Sequence, residues 1–287
     1  MASRAPRGGA WRAVRGTGRG AAARCVLLAL AALVPQAAAA ASDPYPGVGR
    51  AYLVRVNGQT LWEHAAQQPL APASLTKMLT GLLVIEAGTP DAVVTASPRA
   101  ARATGSRLGL RAGERYTVDT LLQATLLASG NDACRALAEW RDGSEAAFVA
   151  RMNRRGAELG LRHTRFVNAC GHDAEGHVST AHDLATLAEA AMGEPRFAAI
   201  VRRTGAVLAT ADGARRFDVT NRNALVGRLE GAVGVKSGFT AAAGKCVIAW
   251  AERGASRVLL VLLGAKDRWW DAHALVERAF EHAAAAR

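Results

Sequence analysis

Ser74 and Lys77 stand three residues apart in segment 72–80, a spacing that suits nucleophilic catalysis. The segment predicts a short loop and then a helix that begins at or next to Ser74, close to the positive end of the helix dipole. Residues three apart share a helix face, so the Ser74 hydroxyl and the Lys77 amine should lie side by side. A serine hydroxyl needs a base, and a lysine can act as one when burial or a nearby cation lowers its pKa. That burial would come from the surrounding apolar residues Leu75, Met78, Leu79, Leu82, Leu83, Val84 and Ile85.

Lysine is rare in this chain, which bears on the role of Lys77. Only four of the 36 basic residues are lysines, and the others are arginines. Arginine stays protonated in proteins, whereas a desolvated lysine can lose its proton. The lysine at position 77 therefore favours a chemical role over the alternative, a solvated Ser–Lys pair on a helix surface.

Residues 1–41 have the features of a secretory signal peptide. Residues 1–24 contain six arginines and no acidic residue, an apolar run follows over 25–34, and small residues at 39–41 offer a cleavage site. The run is about half the length needed to span a bilayer, so we expect cleavage and no stable membrane anchor. The sequence thus predicts an exported protein, periplasmic or extracytoplasmic, with residues 42–287 as a single domain.

The positive charge of the chain says little about a partner. The net charge is +12, of which the six arginines of the predicted signal peptide supply half. The remaining basic residues are scattered and form no stripe with interleaved aromatic residues, so we expect no nucleic-acid partner.

Strand-like segments stand at both ends of region 42–287, and helix-like segments lie between them. The predicted strands are 50–56, 60–64, 232–237, 245–251 and 258–263, the first two joined by the hairpin signal Asn57-Gly58. The predicted helices run from 74 to 88, from 118 to 127, from the turn 128–134 to about 140, from 148 to 159, from 180 to 192 and from 267 to 285. Loops or small strands are expected over 93–118, a loop over 166–179 and a hairpin over 206–219. This order predicts an α+β fold in which an antiparallel sheet from both chain ends carries an inserted helical lobe.

Two further motifs could complete a site with Ser74 and Lys77. Ser129 and Asn131 lie in a turn between two helices, where a hydroxyl could carry a proton and an amide could hold a substrate carbonyl. The alternative is an ordinary helix-connecting turn. Lys236, Ser237 and Gly238 lie on an apolar strand, and the glycine permits close approach of a ligand. The alternative for Lys236 is a charge on an edge strand.

These three motifs in this order resemble the penicillin-interacting serine enzymes, and most closely the low-molecular-mass D-alanyl-D-alanine carboxypeptidases. The resemblance extends over nearly all of region 42–287 and includes segments 171–176, 179–184 and 221–223. It implies a serine β-lactamase/transpeptidase-like fold. It also implies action on peptidoglycan stem peptides, with β-lactam antibiotics as covalent inhibitors, and no metal or other cofactor.

The resemblance also implies roles for individual residues. Ser74 is expected to be the acylated nucleophile and Lys77 its base. Ser129 and Asn131 are expected to assist proton transfer and orient the substrate. Lys236 would supply charge near Ser129, Ser237 and Arg222 would hold the terminal carboxylate, and the backbone N–H groups of Ser74 and Phe239 would form the oxyanion hole.

This chain departs from the family pattern at three positions and in its length. Ser237 stands in place of threonine, Phe239 in place of the histidine of some members, and His172 in place of a usual leucine. Only about 50 residues follow Gly238, so we expect neither the β-rich C-terminal domain nor the amphipathic tail of some relatives.

Four other functions remain as alternatives to a carboxypeptidase. A D,D-endopeptidase on cross-linked peptidoglycan shares the chemistry, whereas a serine β-lactamase needs a deacylating group, and the sequence lacks the Glu-x-x-x-Asn pattern of one class. A non-catalytic wall-binding module would leave the three motifs unused. A metal enzyme would use residues that lack the usual ligand spacing, namely His172, Asp173, His177, His182 and Asp183.

Region 42–287 has three cysteines, Cys134, Cys170 and Cys246. An odd number in an exported protein leaves at least one thiol free or linked to another chain. We expect buried small apolar side chains, with a disulfide between Cys170 and one of the other two as the alternative.

Overall fold

The structure of the protein is a computed structural model, which describes residues 43–285. The predicted signal peptide lies outside this range. In chain order the elements are β1 (Ala51–Val56), β2 (Gln59–His64), a 3-10 turn (Ala73–Thr76), α1 (Lys77–Ile85), β3 (Val93–Thr95), α2 (Pro98–Ala101), β4 (Arg115–Thr117), α3 (Val118–Leu126), α4 (Asn131–Asp142), α5 (Glu145–Glu158), α6 (Ala181–Gly193), α7 (Pro195–Val201), β5 (Gly205–Ala209), β6 (Arg216–Thr220), β7 (Ala232–Thr240), β8 (Gly244–Arg253), β9 (Ser256–Ala265) and α8 (Arg268–Ala285).

The main sheet has five strands in the order β2-β1-β9-β8-β7, and all neighbouring strands are antiparallel. The first strand therefore pairs with the last one, with Ala51 opposite Leu263 and Val56 opposite Val258. Two small two-stranded antiparallel sheets, β3–β4 and β5–β6, lie outside this sheet. The predicted α+β architecture, with an antiparallel sheet built from both chain ends, is confirmed.

Alternating side chains of the central strands enter two hydrophobic cores. In β9, Leu259 and Val261 face the helical lobe, whereas Leu260 and Leu262 face the side covered by α8. Period-two alternation places successive residues on opposite faces, and both faces of this strand are buried. The long apolar run of β9 thus follows from a sheet that is covered on both sides.

The helical lobe is built around α1, whose residues 77–84 are all buried. The hydroxyls of Thr117, Ser144 and Thr180 accept hydrogen bonds from backbone N–H groups in the first turns of α3, α5 and α6. Helix α5 begins before the predicted residue 148 because Ser144 caps it. None of the helices within residues 43–285 combines the length and the apolar content needed to cross a bilayer.

Two of the three cysteines are linked, whereas we expected all three to be unlinked buried side chains. Cys134, at the start of α4, and Cys170, in the loop 166–179, form a disulfide across a Cα–Cα distance of 6.0 Å. Cys246 is a buried free thiol. The favoured prediction of unlinked side chains was therefore wrong for two of the three, because the fold brings that loop against the first turn of α4.

Candidate active site

The structure places Ser74 and Lys77 side by side, as their spacing predicts. The Lys77 Nζ lies 2.9 Å from the Ser74 Oγ and donates a hydrogen bond of 2.5 Å to the carbonyl of Cys170. Ser74 does not open a regular α-helix. It lies in the 3-10 turn, which continues into α1 at Lys77.

The Lys77 amine lies in an environment that favours its neutral form. The side chain is fully buried, and burial holds its pKa well below the usual value. The positive charge of Lys236 lowers this pKa further, while the carboxylate of Asp132 opposes the shift. A neutral amine in contact with a serine hydroxyl is the arrangement that a lysine base requires.

Lys236 and Gly238 reach the nucleophile from β7. Gly238 lies so close to the 3-10 turn that an added Cβ would come within 2.9 Å of the Ser74 nitrogen. The glycine therefore allows strand β7 to approach the Ser74 backbone, whereas the sequence suggested close approach of a ligand.

Lys236 is buried although β7 is an edge strand of the sheet. Its side chain is 1% exposed, so the alternative of a solvated edge charge was wrong. The Nζ donates to the carbonyl of Ser237 at 2.9 Å. Burial, followed by the charges of Arg268 and Arg222, lowers the pKa of Lys236 to about 7.

Ser129 and Asn131 lie on the opposite wall, Ser129 in the turn before α4 and Asn131 as the first residue of that helix. Ser129 has a left-handed backbone, with φ 59°, and both residues line the cavity above Ser74. The Asn131 Nδ2 donates to the carbonyl of Thr104 at 2.6 Å, so this amide nitrogen already has a protein partner. The Asn131 Oδ1 is buried and has no hydrogen-bond partner within residues 43–285.

Asp132, the next residue, shapes the same wall. Its fully buried carboxylate accepts hydrogen bonds from the backbone N–H groups of Leu108, Gly109, Leu110 and Ala133 at 2.7–3.0 Å. The carboxylate thus ties the loop before residue 110 to the first turn of α4, which carries Asn131.

A cavity of about 760 Å3 joins the two walls. All the predicted site residues except the two lysines line it, and the side chains of both lysines are buried. The complete lining is Ser74, Thr104, Gly105, Ser106, Ser129, Asn131, Cys170, Gly171, His172, Asp173, Asn221, Arg222, Ala224, Ser237, Gly238, Phe239, Thr240, Arg268 and Trp269.

Arg222 and Ser237 meet at one end of this cavity. The Ser237 Oγ donates to the carbonyl of Arg222 at 2.9 Å. Phe239 lies beside them with a side chain that is 66% exposed.

Sequence reasoning missed Arg268 and Trp269, which enter the cavity from the first turn of α8. Arg268 donates to the carbonyl of Gly238 at 2.7 Å and stacks over the ring of Trp269. No local motif marks these residues, since their place depends on how α8 packs against β9, β8 and β1 of the sheet.

Most of the residues of the metal alternative have other partners. His177 bonds to Thr76, His182 lies beside Arg55, and Asp183 accepts hydrogen bonds from His163 and Thr164. Within residues 43–285 no group of three or more histidine, cysteine, aspartate or glutamate side chains is arranged to hold a metal ion.

Comparisons with known proteins agree with this geometry. Residues 44–267 match the family model of D-alanyl-D-alanine carboxypeptidases, peptidase family S11. The D-alanyl-D-alanine carboxypeptidase DacF of Bacillus subtilis is 37% identical over 74% of this chain and 55% of its own length. DacB2 of Mycobacterium tuberculosis, described in the same way, is 34% identical over 72% of this chain and 71% of its own. The chain thus spans only about half the length of DacF.

Solved structures show the same likeness. A mutant of the Streptomyces K15 DD-transpeptidase matches with a TM-score of 0.79 and 28% identity, over 83% of this chain and 99% of that one. A D-alanyl-D-alanine carboxypeptidase of Mycobacterium tuberculosis H37Rv matches with a TM-score of 0.78 and 31% identity, over 85% and 95%. The transpeptidase-like fold is confirmed, and the chain belongs to the D-alanyl-D-alanine carboxypeptidase family.

Proposed function

We propose that this protein is a serine-type D-Ala-D-Ala carboxypeptidase that acts on peptidoglycan stem peptides through an acyl-enzyme on Ser74. One observation carries the proposal. The Ser74 Oγ lies 2.9 Å from the amine of Lys77, which is fully buried and has a lowered pKa. This contact supplies the activated nucleophile that cleavage of a peptide bond requires.

In the acylation step, the neutral Lys77 amine accepts the proton of Ser74 while the Oγ attacks the carbonyl carbon of the penultimate D-Ala. The carbonyl oxygen becomes an oxyanion, which the backbone N–H groups of Ser74 and Phe239 would stabilise. Such a donor contributes about 3 kcal/mol in a transition state. The carbon–nitrogen bond then breaks, and the amine of the departing D-Ala receives a proton through Ser129. Water finally hydrolyses the ester and restores Ser74.

One end of the cavity is suited to bind the terminal carboxylate of the substrate. Arg222, Ser237 and Arg268 line the cavity there, and the buried Lys236 precedes Ser237 on β7. A cluster of cationic side chains around a hydroxyl suits recognition of a carboxylate. This end supports binding of a free peptide terminus, as a carboxypeptidase needs.

We also propose that β-lactam antibiotics acylate Ser74 and remain attached for long periods. Among the described residues that line the cavity, Asp173 is the only one with a carboxylate, and it accepts a hydrogen bond from the backbone of Ala242. A base committed to a loop contact is poorly placed to activate water against a penicilloyl ester. This observation supports a penicillin-inhibited peptidase over a β-lactamase.

The proposal is tested by incubating the purified protein with a pentapeptide stem and, separately, with a cross-linked muropeptide. We expect release of D-Ala from the pentapeptide, no release by Ser74→Ala, and at least a hundred-fold slower release by Lys77→Ala. Lys245→Ala is the matched control, because this lysine is exposed on β8 outside the cavity. Cleavage of the cross-linked muropeptide alone would instead identify an endopeptidase, and rapid hydrolysis of nitrocefin would identify a β-lactamase.

We further propose that the protein is exported and processed near residues 39–41. The arginine-rich start and the short apolar run of the sequence support this proposal. Amino-terminal sequencing of the protein recovered from its producing cells tests it, with a first residue close to position 42 as the expected result. An intact Met1 in the cytoplasmic fraction would contradict it.

A further inference from the structure

The residue that precedes the nucleophile has an unfavourable backbone conformation. Ala73 has φ 48°, in the left-handed region, although it is not a glycine. Such a conformation costs on the order of 1–3 kcal/mol and persists only where the surroundings hold it. The peptide between Ala73 and Ser74 supplies one of the N–H groups assigned above to the oxyanion hole, so its orientation bears on catalysis.

A chain of hydrogen bonds ends on the carbonyl of this peptide. The Thr76 hydroxyl donates to the Ala73 oxygen at 2.8 Å, and the Nε2 of His177 lies 3.0 Å from the same hydroxyl. The Nδ1 of His177 accepts a hydrogen bond of 2.9 Å from the backbone N–H of Val167. Because Nδ1 accepts, a neutral ring carries its proton on Nε2 and donates it to the Thr76 oxygen. Each hydrogen bond in this series therefore has a defined donor and a defined acceptor.

His177 is suited to a fixed, neutral role. Its side chain is 2% exposed, and burial, followed by the charge of His172, lowers its pKa to about 4. Its ring also packs edge-on against Phe166. Since protonation would turn Nδ1 into a donor facing the Val167 N–H, the neutral form is the one that fits.

Two glycines close the remaining space around the same peptide. A Cβ added to Gly171 would overlap the Ala73 oxygen, and one added to Gly238 would come within 2.9 Å of the Ser74 nitrogen. The peptide is therefore enclosed by the loop 166–179 on one side and by β7 on the other.

We propose that Thr76 and His177 are positioning residues, which hold the Ala73–Ser74 peptide so that the Ser74 N–H is directed at the oxyanion of the reacting carbonyl. A trans peptide is planar, so fixing its carbonyl oxygen also fixes the opposite direction of its N–H. This N–H lies in the first turn of a helical segment and has no partner within that turn. The inference rests on the proposed acyl transfer and adds two residues that do not themselves touch the substrate.

The test compares Thr76→Val, which keeps the shape but removes the hydroxyl, with Thr76→Ser, which keeps the hydroxyl. Thr125→Val is the matched control, because Thr125 is equally buried and its hydroxyl donates to a carbonyl of its own helix, 2.8 Å away. His177→Phe keeps the ring contact with Phe166 and removes both nitrogens. Circular dichroism confirms folding and thermal stability of each full-length variant.

The decisive measurement is the ratio of two affinities. A peptide boronic acid forms a bond between boron and the Ser74 Oγ, and its boronate oxygen occupies the oxyanion position. The matching peptide carboxylic acid binds without this bond. We expect Thr76→Val and His177→Phe to weaken boronic acid binding on the order of 10-fold to 100-fold, with kcat reduced in parallel. Binding of the carboxylic acid should change less than about three-fold, and Thr76→Ser should recover the wild-type ratio.

Either positioning variant alone can overturn the proposal. The proposal is refuted if the ratio of boronic acid affinity to carboxylic acid affinity is unchanged in folded Thr76→Val or in folded His177→Phe. It is also refuted if either variant loses affinity for both ligands equally. A similar change of the ratio in Thr125→Val would show a general effect of lost buried hydroxyls. Failure of the proposed function looks different, because the wild-type protein would then bind neither penicillin nor the boronic acid covalently.

Discussion

The buried carboxylate of Asp132 provides a sharp test of how the wall opposite β7 is held. One oxygen, Oδ1, accepts hydrogen bonds of 2.9 Å from the N–H groups of Leu108 and Ala133. The other, Oδ2, accepts bonds of 2.7 and 3.0 Å from Gly109 and Leu110. The change Asp132→Asn keeps the size of the side chain but leaves only one acceptor oxygen, so an NH2 group must face two of these N–H donors.

The size of the effect follows from this arrangement. Two hydrogen bonds to a charged acceptor are lost, and each contributes about 1.5–3 kcal/mol. Gly109 is exposed, so water can replace the hydrogen bond lost by its N–H group. Leu110 is buried, so its N–H group is left without a replacement acceptor. We therefore expect Asp132→Asn to lower the free energy of unfolding by about 3 kcal/mol.

Urea unfolding followed by circular dichroism measures this loss. Asp119→Asn is the matched control, because Asp119 forms a half-exposed ion pair with Arg196 at 2.7 Å. Such surface pairs contribute about 0–1 kcal/mol. The reasoning from the four N–H donors is refuted if both variants lower the free energy of unfolding by the same amount while the slope of its dependence on urea stays equal.

Three other predictions follow from the charges and cross-links of the site. Lys236→Met removes a cation that lowers the pKa of Lys77, so the acidic limb of the rate of acylation by penicillin should move to higher pH; an unmoved limb would contradict the assigned coupling. Replacing both Cys134 and Cys170 by alanine should lower the free energy of unfolding by about 4 kcal/mol, because the disulfide closes a loop with a sequence separation of 36, and an unchanged urea midpoint would count against this. The pKa of His177 is about 4 in the folded protein against an ordinary value of 6.5, so the unfolded chain binds the proton first and stability falls as the pH drops through this window. Urea unfolding at several pH values should show a loss of about 3 kcal/mol from this residue, and His177→Phe should remove that part of the dependence.

The contact between Ser74 and Lys77 was predictable because it is local. Two side chains three residues apart in a helical segment must lie close, whatever the rest of the fold does. The long helices and the strands of the main sheet were predictable for a similar reason, since each has a clear apolar period. The short helices α2 and α7 were not predicted, because four and seven residues are too few to show a helical period of apolar residues.

The features that sequence reasoning missed depend on distant parts of the chain. Lys236 is buried because the 3-10 turn covers β7, and no pattern within β7 contains that information. Arg268 reaches the cavity only because α8 packs beneath the sheet. The pairing of Cys134 with Cys170 could not be chosen from three cysteines. Asp132 did carry a signal, an acidic residue in the apolar first turn of a helix, which indicates backbone N–H partners nearby.

The pairing of β1 with β9 has a consequence for the order in which the molecule assembles. The strand made early in synthesis finds its second neighbour only when the last strand has been made, and Asn57 and Arg257 meet there across 200 positions. Until then the β1–β2 hairpin and the β7–β8 hairpin have no strand between them. Pairings this distant in sequence form slowly. A nascent chain that stops before Ser256 would contain Ser74, Lys77 and Lys236 but would lack the strand that joins the two hairpins into one sheet.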